Sequence, residues 1–138
     1  MGLISIAFQP SKERVVLTGR GDLVAADITE TLARLYDDSQ FRTGMSTLAD
    51  FRGARAAVSG DNIRTIMNFV SRNLEWRGKG NCAVVTDRQV DYGMARMAQA
   101  YMEPIGIEAM VFREMEDAER WLGAPSNEAR DKLEPGGE

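Results

Sequence analysis

Residues 3–9 alternate, with Ile4, Ile6 and Phe8 on one side and Ser5, Ala7 and Gln9 on the other. A period of two predicts a half-buried strand. Pro10-Ser11-Lys12 predicts a turn and residues 14–18 a second strand, so the chain opens as an antiparallel hairpin. Gly19-Arg20-Gly21-Asp22 then predicts a break. From Val24 the period lengthens: Val24, Ile28, Leu32 and Leu35 form one stripe of a helix running to about Asp38. Residues 45–51 predict a third strand and residues 53–59 a loop. Ile63, Ile66, Met67, Val70 and Leu74 mark a second helix ending near Arg77-Gly78, with Ser59 or Asp61 at its cap. Cys82-Ala83-Val84-Val85 is a continuous apolar run, as expected of a strand covered on both faces. Val90, Met94, Met97, Ala98 and Tyr101 mark a third helix. Residues 107–112 predict a fifth strand, and residues 116–122 a last helix with Ala118, Trp121 and Leu122 inward. Trp121 is expected to anchor that helix in the core.

The resulting order is β-β-α-β-α-β-α-β-α, which predicts a single α/β domain. Its five-stranded sheet is mixed but mostly parallel and carries four helices. With 138 residues there is room for one domain. The domain is expected to span residues 1–123. Residues 124–138, with Leu133 their one large apolar residue, read as a disordered tail.

Composition narrows the chemistry. The chain has no histidine and one cysteine. It therefore has no Ser–His or Cys–His pair, cannot assemble a structural zinc site from Cys and His, and forms no internal disulfide. No P-loop or GxSxG elbow is present, and Gly19-Arg20-Gly21 lacks the third glycine of a dinucleotide loop. No cofactor or metal is expected. Cys82, inside the most apolar strand, reads as a small buried hydrophobe rather than a nucleophile. Paired carboxylates leave a hydrolase as the least favoured reading.

The net charge of −4 argues against a nucleic-acid partner. Residues 42–79 nevertheless hold seven basic residues against three acids, read as solvated faces or as a patch for an acidic partner. The N-terminus does not look like a signal peptide, and no apolar run approaches a membrane span. A cytoplasmic location is the expectation.

Met94, Met97, Met102 and Met110 cluster on the third helix and fifth strand, as plain core or as an adaptable pocket wall. Tyr92 and Arg96 share a helix face. Arg96 is expected to pair with Asp87, Asp91 or Glu103, or to meet a bound anion.

The segments Ala83-Val84-Val85-Thr86-Asp87, Tyr92-Gly93-Met94-Ala95-Arg96-Met97, Val111-Phe112-Arg113 and Ala118-Glu119-Arg120-Trp121-Leu122-Gly123 resemble the SpoIIAA-like branch of the STAS-type domains, related to anti-sigma-factor antagonists. The resemblance implies a mixed sheet built of successive β-α turns, its first strand antiparallel, with helices mainly on one face. It also implies a part of the other face that is thinly covered. Signalling members of the family carry a phosphorylatable serine at the start of the second helix. The nearest match here is Ser59, followed by Gly60 and Asp61, without the preceding aspartate and doubled serine of the family motif. Ser59 thus reads either as an ordinary N-cap or as a partner and phosphorylation site.

The expected function is that of a non-enzymatic regulatory domain. It would act on an unknown protein partner around Ser59, Gly60 and Asp61, or on a second copy of itself as a homodimer. The alternative is a carrier or sensor of a small hydrophobic ligand held beside the sheet, with Tyr92, Met94, Arg96 and Met97 as ligand or interface residues.

Overall fold

The computed structural model describes residues 2–56 and 59–123. The expected tail, 124–138, lies outside the described residues. Strand β1 (Leu3–Gln9) pairs antiparallel with β2 (Arg14–Leu23) through a single 3-10 turn at Pro10–Lys12. The register sets Phe8 opposite Val15 and Ile6 opposite Leu17, so the alternation read from the sequence falls on one sheet face. Helix α1 (Ala25–Asp37), strand β3 (Ser46–Ala56), helices α2 (Gly60–Arg72) and α3 (Leu74–Arg77), strand β4 (Cys82–Val85), helix α4 (Gln89–Met102), strand β5 (Ala109–Phe112) and helix α5 (Met115–Gly123) follow. The sheet order is β1-β2-β3-β4-β5, and every pair after the first is parallel. The chain is thus the expected single α/β domain with a five-stranded, mostly parallel sheet.

Strands that succeed one another in one direction, joined by crossovers of one hand, leave their connecting helices on one face. Accordingly α1, α2 and α4 pack side by side, with α1 against α2 and α2 against α4. Helix α5 follows the last strand and closes over β3, β4 and β5 from the other side. There Trp121, 1% exposed, packs on Phe112 with ring centroids 5.8 Å apart, beside Leu48, Ala83, Val85 and Leu122. Trp121 is the core anchor the sequence suggested. Beyond α5 no described helix covers that face, and Leu3 on β1 is 67% exposed.

Five local expectations are corrected. Residues 19–22 do not break the chain, because β2 runs on to Leu23 and pairs with β3 out to Ala56. The glycines instead accommodate a register shift between Thr18 and Arg20. A Cβ on Gly19 would sit 2.7 Å from the Phe51 ring, and Gly21 takes φ 73°. For the same reason residues 53–56 are strand and not loop. The second helix divides at Asn73, which adds the one-turn α3, so the described residues form five α-helices and not four. The third helix keeps only part of the expected stripe: Ala98 is buried and Met94 packs on the core, joined by Asp91 and Met102, whereas Val90 is 58% exposed and Met97 and Tyr101 are also exposed. Val24, placed in the stripe of the first helix, is likewise exposed at that helix's N-cap.

Candidate functional site

Small side chains face each other across the three-helix side of the sheet. On the sheet these are Thr47 and Ala49 of β3 and Cys82 and Val84 of β4; on α4 they are Ala95 and Ala98. Helix and sheet backbones cannot approach closely enough to close the gap that short side chains leave, and the atoms lining it lose their contacts on that side. The result is a cavity of about 140 Å³ between the sheet and α1, α2 and α4. Its walls are almost wholly apolar: Leu17, Leu23, Ile28, Leu32, Ile63, Ile66, Met67, Val70, Met94 and Met102 complete them. A cavity of about 150 Å³ with such a lining stays dry and accepts a benzene-sized molecule.

Polar groups meet the cavity at its two ends. At the amino-terminal edge of the parallel strands stand Tyr36, near the end of α1, Thr47, Arg77 and Cys82. Arg77 is 5% exposed. It is directed inward by the way its segment is tied to the loop before β3. The Thr43 hydroxyl donates to the Trp76 carbonyl at 2.8 Å, and the Gly44 N–H donates to the Arg77 carbonyl at 2.9 Å. Gly78, with φ 74°, then turns the chain where a Cβ would lie 2.5 Å from the Gly44 nitrogen, so only glycine fits. Arg77 Nη1 donates to the Gly78 carbonyl at 2.8 Å. Burial raises the Tyr36 hydroxyl to about pKa 12, against the lowering effect of Arg77. Burial also pushes up the Cys82 thiol, again opposed by Arg77. Both groups therefore stay protonated near neutrality. The Tyr36 hydroxyl is buried and makes no well-formed hydrogen bond among the described residues, although the Arg77 guanidinium beside it acts on it as a donor.

At the carboxyl-terminal edge stand Thr86, just past β4, and Asp91, in the first turn of α4. Asp91 is 6% exposed, and its Oδ2 lies 3.4 Å from Arg88 Nη1. Among the described residues neither Asp91 oxygen accepts a hydrogen bond, nor does the buried Thr86 hydroxyl find a partner. Unsatisfied buried polar groups are uncommon and point to an absent partner, whether water or ligand.

Of the residues singled out from the sequence, Met94 and Met102 line the cavity. Met97 is exposed and sits over the start of α2, near enough that a Cβ on Gly60 would lie 3.7 Å from its Sδ and Cε. Tyr92 and Arg96 are not cavity residues: the Arg113 guanidinium stacks 4.2 Å from the Tyr92 ring centre, and Arg96 is exposed and engaged with neighbouring groups. Ser59 is the N-cap of α2. Its Oγ accepts from the Asn62 N–H at 3.3 Å, while its own N–H donates to Asn62 Oδ1 at 3.1 Å. Asp61 is exposed and 3.7 Å from Arg64 Nη2. Tyr36, Arg77, Thr86 and Asp91 are candidate residues that no motif in the sequence singles out. For Asp91 the signal was present: it stands three and seven residues before Met94 and Ala98, on the stripe that the helix buries.

Among the described residues no group of three or more His, Cys, Asp or Glu side chains could hold a metal ion. Nor is any helix there long and apolar enough to cross a membrane. No protein-family model matches the chain, and no curated protein matches it. Among solved structures it is similar to an uncharacterized protein of the DUF3478 family from Shewanella loihica PV-4, described as having a SpoIIAA-like fold. The TM-score is 0.62 at 17% sequence identity, over 88% of this chain and 95% of that one. The architecture that encloses the cavity is thus the SpoIIAA-like fold, as the sequence resemblance implied.

Proposed function

We propose that this is a non-enzymatic binding domain whose ligand is a small apolar molecule held between the sheet and helices α1, α2 and α4. The observation that carries the reading is the cavity of about 140 Å³, whose walls are apolar over nearly their whole extent. Filling such a space with a packed ligand restores dispersion contacts that the empty cavity forgoes. The polar atoms without partners at its two ends add the few orienting groups that small-molecule sites carry. The reading makes the domain a carrier or sensor: ligand occupancy would tie the three helices to the sheet and to one another.

A titration of the labelled protein with hexan-1-ol, followed by amide NMR shifts, tests this. Saturable shifts are expected around Leu17, Val84, Met94 and Ala98. They should vanish in Ala49→Leu, whose side chain grows into the cavity. Shifts that rise without saturating, or that fall on the α5 side of the sheet, would refute the proposal.

A further inference from the structure

The two polar ends of the cavity differ in their charge balance. At the carboxyl-terminal edge the Asp91 carboxylate has a cation beside it, Arg88, at 3.4 Å. At the other edge Arg77 has none. It is 5% exposed; among the described residues its one well-formed hydrogen bond goes to a backbone carbonyl, its only other partners are the neutral Tyr36 hydroxyl and Cys82 thiol, and no carboxylate pairs with it. Its neighbours add donors rather than an anion. The buried Tyr36 hydroxyl, beside Arg77, has no acceptor for its proton among the described residues, and Thr47 and the Cys82 thiol line the same end. A buried charge without a counter-charge is unfavourable, and native structures pair such charges or neutralise them. A guanidinium offers a planar fork of N–H donors that matches a carboxylate. One guanidinium balances one negative charge, so a dianionic phosphate would be left half compensated.

Resting on the reading that the cavity binds a ligand, we propose that this ligand is a small apolar monocarboxylate, aliphatic or aryl, of about the size of hexanoate or benzoate. Its carboxylate pairs with the buried Arg77 and accepts a hydrogen bond from the Tyr36 hydroxyl. Its tail lies along the apolar channel toward Met94. From Cys82 to Thr86 the channel follows β4 for four residues, roughly 13 Å. Hexanoate is shorter than that, so its methyl end stays on apolar wall and away from the Asp91 carboxylate.

The test compares hexanoate with hexan-1-ol, which keeps the tail and removes the charge, on the full chain at pH 7 by NMR titration. Wild type should bind hexanoate about tenfold or more tighter, the scale of one hydrogen bond to a charged group. Arg77→Met should abolish that preference and leave hexan-1-ol binding in place. Tyr36→Phe should weaken hexanoate severalfold and hexan-1-ol little. If Arg77→Met fails to fold, the wild-type comparison and Tyr36→Phe still decide. Equal or tighter binding of hexan-1-ol by wild type would overturn the carboxylate while leaving the cavity reading intact. Saturable binding of neither probe would remove the cavity reading, and this inference with it.

Discussion

The two faces of one sheet have been packed in different ways. Under α5 large side chains meet: Trp121, Phe112, Leu48 and Val85 leave nothing exposed. Across from them three helices cover the sheet, yet Ala49, Ala95 and Ala98 leave a cavity of about 140 Å³. More covering helices therefore do not mean a fuller core. The size of the facing side chains decides, and strand alternation allots them. On β4, Ala83 and Val85 belong to the α5 core, whereas Cys82 and Val84 face the cavity. The first face supplies stability and the second supplies space.

The contrast predicts unequal responses to truncation and filling. The largest effect falls on the packed face: Trp121→Ala should cost about 3–5 kcal/mol in chemical denaturation. If its cost were no greater than that of Met94→Ala, at the half-buried cavity wall, the two faces would not differ as described. Filling the open face should act in the opposite direction. Ala49→Leu is expected to stabilise by about 0.5–2 kcal/mol, where the same enlargement at Ala83 under α5 should destabilise by about 1–3 kcal/mol.

A third effect separates the cavity's polar end from the rest. Tyr36 has a folded-state pKa raised to about 12 from 10.0, so the folded state favours its protonated form. That contribution is fully present below pH 10 and is lost as the pH rises through 12. Tyr36→Phe should therefore flatten the decline in stability over this window, as followed by denaturation at stepped pH. An unchanged slope would mean that the hydroxyl is not buried as described. The smallest effects lie outside both cores. Ser59→Ala removes the α2 cap and should cost about 1 kcal/mol. Arg52→Ala removes an exposed pair in which Arg52 Nε donates to Asp50 Oδ1 at 2.8 Å, and should cost about 0.2–1 kcal/mol. The Arg52 guanidinium holds the Asp50 carboxyl below its ordinary value of 3.8. This contribution is thus present above about pH 4 and is lost as the pH falls through the lowered pKa, where Arg52→Ala and wild type should converge.

The fold was largely legible in the sequence because its signals are periodic. Alternation in β1, the 63-66-67-70 stripe of α2 and the apolar run of β4 each belong to the element they predicted. Glycine misled where it works within a strand. Gly19 and Gly21 read as punctuation, yet they accommodate the Phe51 ring and a register shift. The candidate site was legible only at Met94 and Met102. A cavity arises from pairs of small residues distant in the chain, such as Ala49 and Ala98, and no local pattern announces that they face one another. Arg77 looked like one of several solvated arginines. Its burial follows from a tertiary tie, Thr43 and Gly44 to the end of α3, that sequence spacing does not encode. Asp91 is masked in the sequence by Val90, which starts a competing apolar stripe one residue and so about a quarter turn away.

The central claim is an apolar space on one face of the sheet and none on the other. Crystallography under xenon pressure tests it most directly, since xenon enters apolar cavities of about this size. The account predicts one principal xenon site, among Ala49, Val84, Met94 and Ala98. A protein without xenon there, or with xenon beside Trp121 and Phe112 instead, would contradict it.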